Sequence, residues 1–314
     1  MAVSTTPLAQ DQWCMAVKTE TTTGTPIAIS ATDGAFFAYR VSDGIVDETE
    51  LIRRMGAGSS DQLAGVPAGY WGSIEFEIDL MGKGSSGVAT YMSTLLGACG
   101  INFTGGAGAP ITGETLADTV TIGFYQDGIL QQLAGAVGTF STVWTPGQTA
   151  RLRFKFWGVP QAETDVALIA PTFPTGKPPR WAGTTNTYDS YALMVNQMTF
   201  DVQNTVVPRP DPSNAAGILC GLITTRDPFF EFDPESVLMA TKNWQTYFRD
   251  QTEAALTVAI GTVANNIITL ASTKAVVAQP PNLANVNGIM RRNARILPVR
   301  NASSYDSAFT ITFS

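Results

Sequence analysis

The sequence predicts a mainly β protein, and three observations support this fold class. The 314 residues include 29 Gly and 18 Pro and are rich in Thr, Ser and Val, a composition typical of strands joined by tight turns. Residues 74–80 alternate strictly between apolar and acidic side chains, which is the period of a strand with one buried face. The tripeptide Gln-Asp-Gly at 126–128 separates two apolar runs and indicates a tight hairpin turn.

The first 70 residues are expected to contain one short strand between two irregular segments. Residues 1–30 are Thr-rich and weakly patterned, which favours an N-terminal arm ordered by a neighbouring subunit. A strand is predicted at 35–41. Residues 42–70 are rich in Gly and lack an apolar period, so we expect a long loop, and loops of this length are usually functional or disordered.

The next predicted strand places Glu75, Glu77 and Asp79 on one face. Neighbouring carboxylates on a strand face lie roughly 6 to 7 Å apart and repel by about 0.6 kcal/mol per pair in water, so they need solvent or cationic partners. The strand predicted at 150–157 has three basic residues on one face: Arg151, Arg153 and Lys155. We therefore predict that the two strands pair and that their charges meet across the ladder.

Between these strands the sequence predicts a helix and a hairpin. Apolar residues recur at helical spacing over 88–96, with Ser86 placed to cap the start and Gly100 to end the helix. The hairpin spans 119–136 around the Gln-Asp-Gly turn. With the basic strand, these elements complete a first unit at residues 31–160.

The second half repeats the order of the first. Residues 161–190 contain several prolines without a regular period, which predicts a linker. Residues 191–314 then contain a strand, an amphipathic helix, a hairpin, a basic strand and a final strand, predicted at 217–225, 238–248, 256–270, 291–295 and 309–313. Matching elements of the two halves are separated by a nearly constant number of residues. We therefore predict a second unit at 191–314.

The composition argues against several classes of function. The 19 basic and 26 acidic residues give a net charge of −7, which disfavours binding to a phosphate backbone. The chain has no His, the commonest general base and metal ligand, so we expect no enzyme, no catalytic residue, no metal site and no cofactor. Three scattered cysteines favour buried thiols over a disulfide framework. No apolar run approaches the roughly 20 residues that span a bilayer, and no signal-peptide order is present.

Several segments, taken in order, resemble the major tail tube proteins of long-tailed, non-contractile bacteriophages. The resemblance covers most of residues 15–230, and it is carried by the order of the segments, since no single motif is diagnostic. The segments are KTETTTGTP at 18–26, IEFEIDLMG at 74–82, LLGACG at 95–100, TIGFYQDG at 121–128 followed by GAVG at 135–138, and RFKFWG at 153–158.

The resemblance implies a fold, an assembly and a location. Members of the family fold as β-sandwiches with one flanking helix and form stacked rings, whose strands close a barrel around a lumen through which DNA leaves the capsid. A chain with two tandem units would form a homotrimeric, pseudo-hexameric ring, with a homohexamer as the alternative. The implied partners are further copies of the chain and the tail terminator, tape measure and distal tail proteins. DNA would pass without specific binding, in a virion tail assembled in the host cytoplasm.

The resemblance also implies roles for particular residues. Glu75, Glu77 and Asp79 would line the channel, partly neutralised by the basic strand, because an acidic lumen repels phosphates. The contact between stacked rings would lie in the 42–70 loop, at Arg53, Arg54 and Met55. In the second half the acidic residues look less regular, so no acidic ladder is expected there: Asp227, Glu231, Asp233 and Glu235.

Two other functions are alternatives. A capsid decoration or receptor-binding β-domain would form monomers or trimers that do not polymerise. A glycoside hydrolase would use two carboxylates, either Glu75 with Asp79 or Glu231 with Glu235. Carboxylates at alternate positions of a flat strand face do not by themselves form a cleft, which disfavours the hydrolase.

Overall fold

The computed structural model describes residues 11–34, 36–42, 45–51, 66–111, 118–280, 282–301 and 306–314. Within these ranges the protein is mainly β, as the sequence predicts, with 21 strands and two short helices. The strands of one large sheet are joined by antiparallel pairings, and one hairpin forms a second, two-stranded sheet.

The elements of the first half contain one helix and nine strands. In chain order they are β1 (Trp13–Thr19), β2 (Ala38–Arg40), β3 (Val46–Leu51), β4 (Val66–Asp79), α1 (Thr90–Gly97), β5 (Ile101–Thr104), β6 (Ala107–Pro110), β7 (Val120–Gln126), β8 (Ile129–Trp144) and β9 (Arg151–Pro160).

The elements of the second half contain the other helix and twelve strands. They are β10 (Thr164–Asp165), β11 (Thr187–Tyr188), β12 (Tyr191–Ala192), β13 (Met198–Asp201), β14 (Asn204–Pro210), β15 (Ile218–Arg226), β16 (Phe229–Phe232), α2 (Trp244–Arg249), β17 (Ala254–Ile260), β18 (Ile268–Val277), β19 (Asn282–Val286), β20 (Ile289–Pro298) and β21 (Thr310–Phe313).

Strand β8 connects the two halves of the large sheet. It pairs with β9 along one edge, and along the other edge with β7 in its first half and β13 in its last four residues. The change of partner from β7 to β13 along this edge follows a register irregularity between Ala134 and Val137. Gly135 in this bulge has φ +58° and lies so close to Cys220 that a Cβ would be 2.9 Å from the Cys220 Cα, so glycine is needed there.

The two predicted units share a sheet and a hydrophobic core. Phe200 on β13 packs against Phe140 of β8, Phe230 of β16 and Phe309, with ring centroids 6.0, 4.5 and 5.1 Å apart. All four rings belong to one cluster of buried residues that extends through both halves. The predicted linker is also tied to the sheet, since β10 pairs with β8 and β11 pairs with β17. The separation of the chain into two units by a linker at 161–190 therefore stays a prediction.

Two segments that were expected to be irregular contain strands. In the predicted arm, β1 pairs with β7 of the same chain along its full length, from Trp13 opposite Gln126 to Thr19 opposite Val120. The residues of β1 are buried on both faces, so they show no period of two. In the predicted 42–70 loop, β3 pairs with the first half of β4 to form a long hairpin. Arg53, Arg54 and Met55 lie outside the described residues.

The hairpin of β14 and β15 is anchored to the large sheet by a polar cluster. The Nδ2 of Asn204 donates to the carbonyl oxygens of Cys99 and Gly138 at 2.8 and 2.9 Å. The guanidinium of Arg226 donates to Asn204 Oδ1 at 3.1 Å and to the Gly100 oxygen at 2.9 Å, and burial lowers its pKa. The cluster joins the hairpin to β8 and to the segment after α1, because buried polar groups require partners.

Neither described helix is long and apolar enough to cross a membrane.

The shared core predicts that one substitution at the junction destabilises the whole fold. Phe200→Ala should lower the free energy of unfolding by about 3 to 5 kcal/mol, because it leaves a cavity among three other aromatic rings. Urea unfolding followed by tryptophan fluorescence measures the loss. The control, Val263→Ala, changes a side chain that is 68% exposed and should cost less than about 0.5 kcal/mol. A loss for Phe200→Ala as small as the control's would contradict the shared core.

A charged sheet face as the candidate functional site

The acidic and basic strands pair in register. Strand β4 lies antiparallel to β9, and three acidic residues stand directly opposite three basic ones: Glu75 with Lys155, Glu77 with Arg153, and Asp79 with Arg151. On the other side of the same ladder, apolar residues of the two strands are buried. The structure thus brings all six predicted residues together on one outward face.

Two of the ion pairs run diagonally across this ladder, and the third joins the directly opposed Arg151 and Asp79. Arg153 Nε lies 2.9 Å from Glu75 Oε1, and the guanidinium of Arg151 lies 3.5 Å from both Glu77 Oε2 and Asp79 Oδ1. The three carboxylate side chains are 18% to 28% exposed, whereas the two guanidinium side chains are 46% and 50% exposed. The acidic strand is therefore covered by its basic partner and does not form a bare acidic wall.

Tyr39 on β2 extends the charge network past β4. Its hydroxyl donates to Asp79 Oδ2 at 3.1 Å, and the Arg151 guanidinium carbon lies 3.7 Å from its ring centroid. Burial raises the pKa of Tyr39, and the hydrogen bond to Asp79 raises it further. The neutral phenol thus holds both the acid and the base in place.

The face continues without interruption into the second half. Val143 of β8 lies opposite Arg151 on one side and Thr199 of β13 on the other. Thr199 then lies opposite Glu231 of β16, which lies opposite Arg295 of β20. We call the outward side of these seven neighbouring strands the charged face: β2, β4, β9, β8, β13, β16 and β20.

The second half repeats the charge pairing of the first, which corrects the expectation that it has no acidic ladder. Arg295 lies 3.3 Å from Glu231, and Arg291 lies 3.7 Å from Asp233 and 3.3 Å from Glu235. Arg295 also lies over the ring of Phe229 at 3.9 Å, as Arg151 lies over Tyr39. Of the acidic residues between positions 227 and 235, only Glu231 lies in strand β16, so their spacing along the sequence looked irregular. The signal was nevertheless present, because 231, 233 and 235 have the same spacing as 75, 77 and 79.

Asp201 lies between the two groups of ion pairs. It stands opposite Ser141 of β8 and Phe229 of β16, and its carboxylate accepts a hydrogen bond from the Gln203 N–H at 2.8 Å. Burial raises the pKa of Asp201, and the Gln203 N–H and the charge of Arg295 partly offset the rise. No pattern in the sequence singles out this residue.

Two clefts open on the charged face. One, of about 720 Å³, is lined by Ser141, Gln148 and three arginines, Arg151, Arg153 and Arg180. The other, of about 440 Å³, lies over β16 and β20 and includes Glu231, Asp233 and Arg295 in its lining.

The carboxylates that a hydrolase would use are engaged by cations. Glu75 and Asp79 are bound by different arginines, Arg153 and Arg151. Glu231 is bound by Arg295, and Glu235 by Arg291. This geometry does not favour the hydrolase alternative.

Comparison with known proteins did not place the chain in a family. No protein-family model matches it, and a search of curated proteins found no significant match.

The ion pairs predict a small, salt-sensitive coupling between the strands. In a double-mutant cycle with Glu75→Gln and Arg153→Met, the coupling energy should be about 0.2 to 1 kcal/mol, because both side chains are partly exposed. It should shrink in 1 M NaCl as the charges are screened. Urea unfolding of the four proteins measures it. A control cycle on Arg153 and the distant Asp165 should give no coupling, and an equal value in both cycles would contradict the pairing.

Proposed function

We propose that this protein is a structural virion protein that assembles into stacked rings and forms a phage tail tube, a conduit for DNA. The observation that carries the proposal is the charged face, a continuous surface on seven neighbouring strands on which carboxylates hold four arginines: Arg151, Arg153, Arg291 and Arg295. The order of sequence segments that resembles tail tube proteins supports the same reading. On this proposal the protein is not an enzyme.

A conduit for DNA has to avoid holding phosphates, and the paired charges serve this requirement. A free arginine on the wall would bind a phosphate, and each such contact slows passage. Arg153 and Arg295 are each bound to a carboxylate of the adjacent strand. Acidic side chains outnumber basic ones by one when Arg180 of the larger cleft is included, with Glu75, Glu77, Asp79, Asp201, Glu231, Asp233 and Glu235 against Arg151, Arg153, Lys155, Arg180, Arg291 and Arg295. The wall therefore carries a small acidic excess, while the guanidiniums of Arg151 and Arg153 are more exposed than the carboxylates that they bind.

The repeated charge pairing supports two wall sectors per chain. On this proposal the chain consists of two tandem β-sandwich units, each with one helix, and a homotrimer forms a pseudo-hexameric ring whose strands close the lumen. A homohexamer is the alternative. The contact with the next ring is proposed to lie in the segment 42–70, at Arg53, Arg54 and Met55. The tail terminator, tape measure and distal tail proteins are the proposed partners at the ends and inside the tube.

Electron microscopy of the purified protein tests the assembly. Rings or tubes with a central hole wide enough for duplex DNA are expected. Trimers that never stack would favour the decoration or receptor-binding alternative. A uniformly monomeric protein at high concentration would contradict the proposal.

The wall role predicts that reversing charge on β4 slows DNA passage. Virions carrying Glu75→Lys with Glu77→Lys should still assemble yet eject DNA several-fold more slowly, because the new cations and the released Arg153 attract phosphates. The delay should diminish at higher salt. Ejection into an intercalating dye, triggered in vitro, provides the rate.

The matched control replaces two other acidic residues, also two positions apart in the sequence, by lysine. Glu163 and Asp165 are exposed and lie at or beside β10, outside the charged face. Virions with Glu163→Lys and Asp165→Lys should eject at the unmodified rate. Unchanged ejection in the Glu75 and Glu77 virions, or an equal delay in the control, would show that the charged face does not line the channel.

A further inference from the structure

Three arginines line the 720 Å³ cleft that opens on the charged face, and we call it the arginine cleft. Arg151 and Arg153 belong to β9, whereas Arg180 lies in the segment between β10 and β11. Glu77 is the only acidic residue among the described residues of the lining. The uncharged hydrogen-bonding side chains of the lining are Ser141, Thr142, Thr145, Gln148 and Thr149. The lining therefore carries more basic than acidic groups.

The main chain of Arg180 is anchored beside the turn between β8 and β9. It forms an antiparallel β-bridge with Thr149, and the Trp181 N–H donates to the carbonyl oxygen of Gln148 at 2.8 Å. Trp181 is buried, and its ring lies edge-on to that of Trp144 with centroids 5.7 Å apart. The exposed side chain of Arg180 thus starts from a fixed position, and it makes no ion pair with any residue that the structure describes.

The other two arginines of the cleft also have unused donors, since a guanidinium has five N–H bonds. Arg153 donates to Glu75 through its Nε at 2.9 Å, so its two terminal NH₂ groups make no hydrogen bond within the described part of the chain. Arg151 contacts Glu77 through Nη1 and Asp79 through Nε, which leaves its Nη2 group. The carboxylates hold both guanidiniums in place, and the remaining donors are available to a ligand.

Most of the acidic partners lie away from the cleft. The acidic strand β4 follows one edge of β9, and β8 follows the other. On β8, Ser141 stands opposite Arg153 and Val143 stands opposite Arg151, so the neighbours on this side are uncharged. Of the three carboxylates of β4, only that of Glu77 reaches the lining. The accessible charge at the cleft is therefore mainly positive.

A phosphate group matches this set of donors better than a carboxylate does. Guanidiniums bind both groups through paired, charge-assisted hydrogen bonds. A carboxylate is planar and carries one charge, which a single guanidinium fork satisfies. A phosphate carries nearly two charges and has additional acceptor oxygens in a tetrahedral arrangement, so it accepts from donors that approach from several directions. The cleft is larger than a phosphate ion, so it also admits a phosphate that is attached to a larger molecule.

We propose that the arginine cleft is an oxyanion site that binds a phosphate group, with Arg180 as its unpaired cation. The net charge of the chain is −7, so binding depends on these local donors and not on long-range attraction. The site goes beyond the proposed function and does not require assembly. On the proposed channel wall it is a place where a phosphate is held, in contrast to the paired arginines beside it.

Equilibrium dialysis against radiolabelled inorganic phosphate at low ionic strength tests the site. The unmodified protein should bind one phosphate per chain, and the binding should weaken in 1 M NaCl. Arg180→Gln should weaken it by at least about tenfold, because it removes the cation that no carboxylate neutralises. The control, Arg249→Gln, removes the same charge from an exposed arginine at the end of α2, outside the cleft, and should bind phosphate like the unmodified protein. Melting temperatures check that both variants fold.

A competition arm identifies the source of the phosphate. If a short DNA duplex displaces the label, the cleft accepts backbone phosphates; if the label stays bound, the cleft accepts a free phosphate or a small phosphate ester. The absence of saturable binding, or equal binding by Arg180→Gln and the unmodified protein, would overturn the site. Neither result affects the assembly proposal, since the rings or tubes sought by electron microscopy do not depend on phosphate.

Discussion

The register of β4 against β9 is the constraint on which the rest of the structure depends. One side of this ladder carries opposite charges, and the other carries Phe76, Phe154 and Phe156, whose ring centroids lie 5.7 to 5.9 Å apart. A slip of one residue would move carboxylates into the core and aromatic rings into solvent. Since both sides specify the same register, the aromatic core and the charged face are consequences of one pairing.

Strand β8 transmits this order to the second half. Its last residues pair with β13, and the rings of Phe140 and Phe200 lie together under that junction. The outward side chains of β13, β16 and β20 are therefore aligned with those of β4 and β9. A surface that alternates acid and base across both halves requires this alignment. Cross-strand ion pairs form where oppositely charged side chains on adjacent strands point to the same side of the sheet.

The ion pairs set the character of the proposed wall. A wall of bare carboxylates would repel DNA strongly, but it would also destabilise its own strand. The observed face holds its acids against arginines and places aromatic rings under two of the guanidiniums, on Tyr39 and Phe229. The proposed channel is thus a surface of satisfied charges with a modest acidic excess.

The sequence by itself determined the mainly β class, the turn at Asp127 and Gly128, and the pairing of the acidic strand with the basic one. These features follow from a period of two and from turn chemistry, which are local. Only the tertiary structure decided that β1 pairs with β7 and is buried on both faces, that β13 continues the sheet from β8, and that Glu231 and Arg295 repeat the ladder. The backbone pairing of Met198 with Trp144 joins positions 54 residues apart in the sequence and depends on a bulge at Gly135. Such pairings leave no local pattern, because any exposed edge can accept any strand until the core selects one.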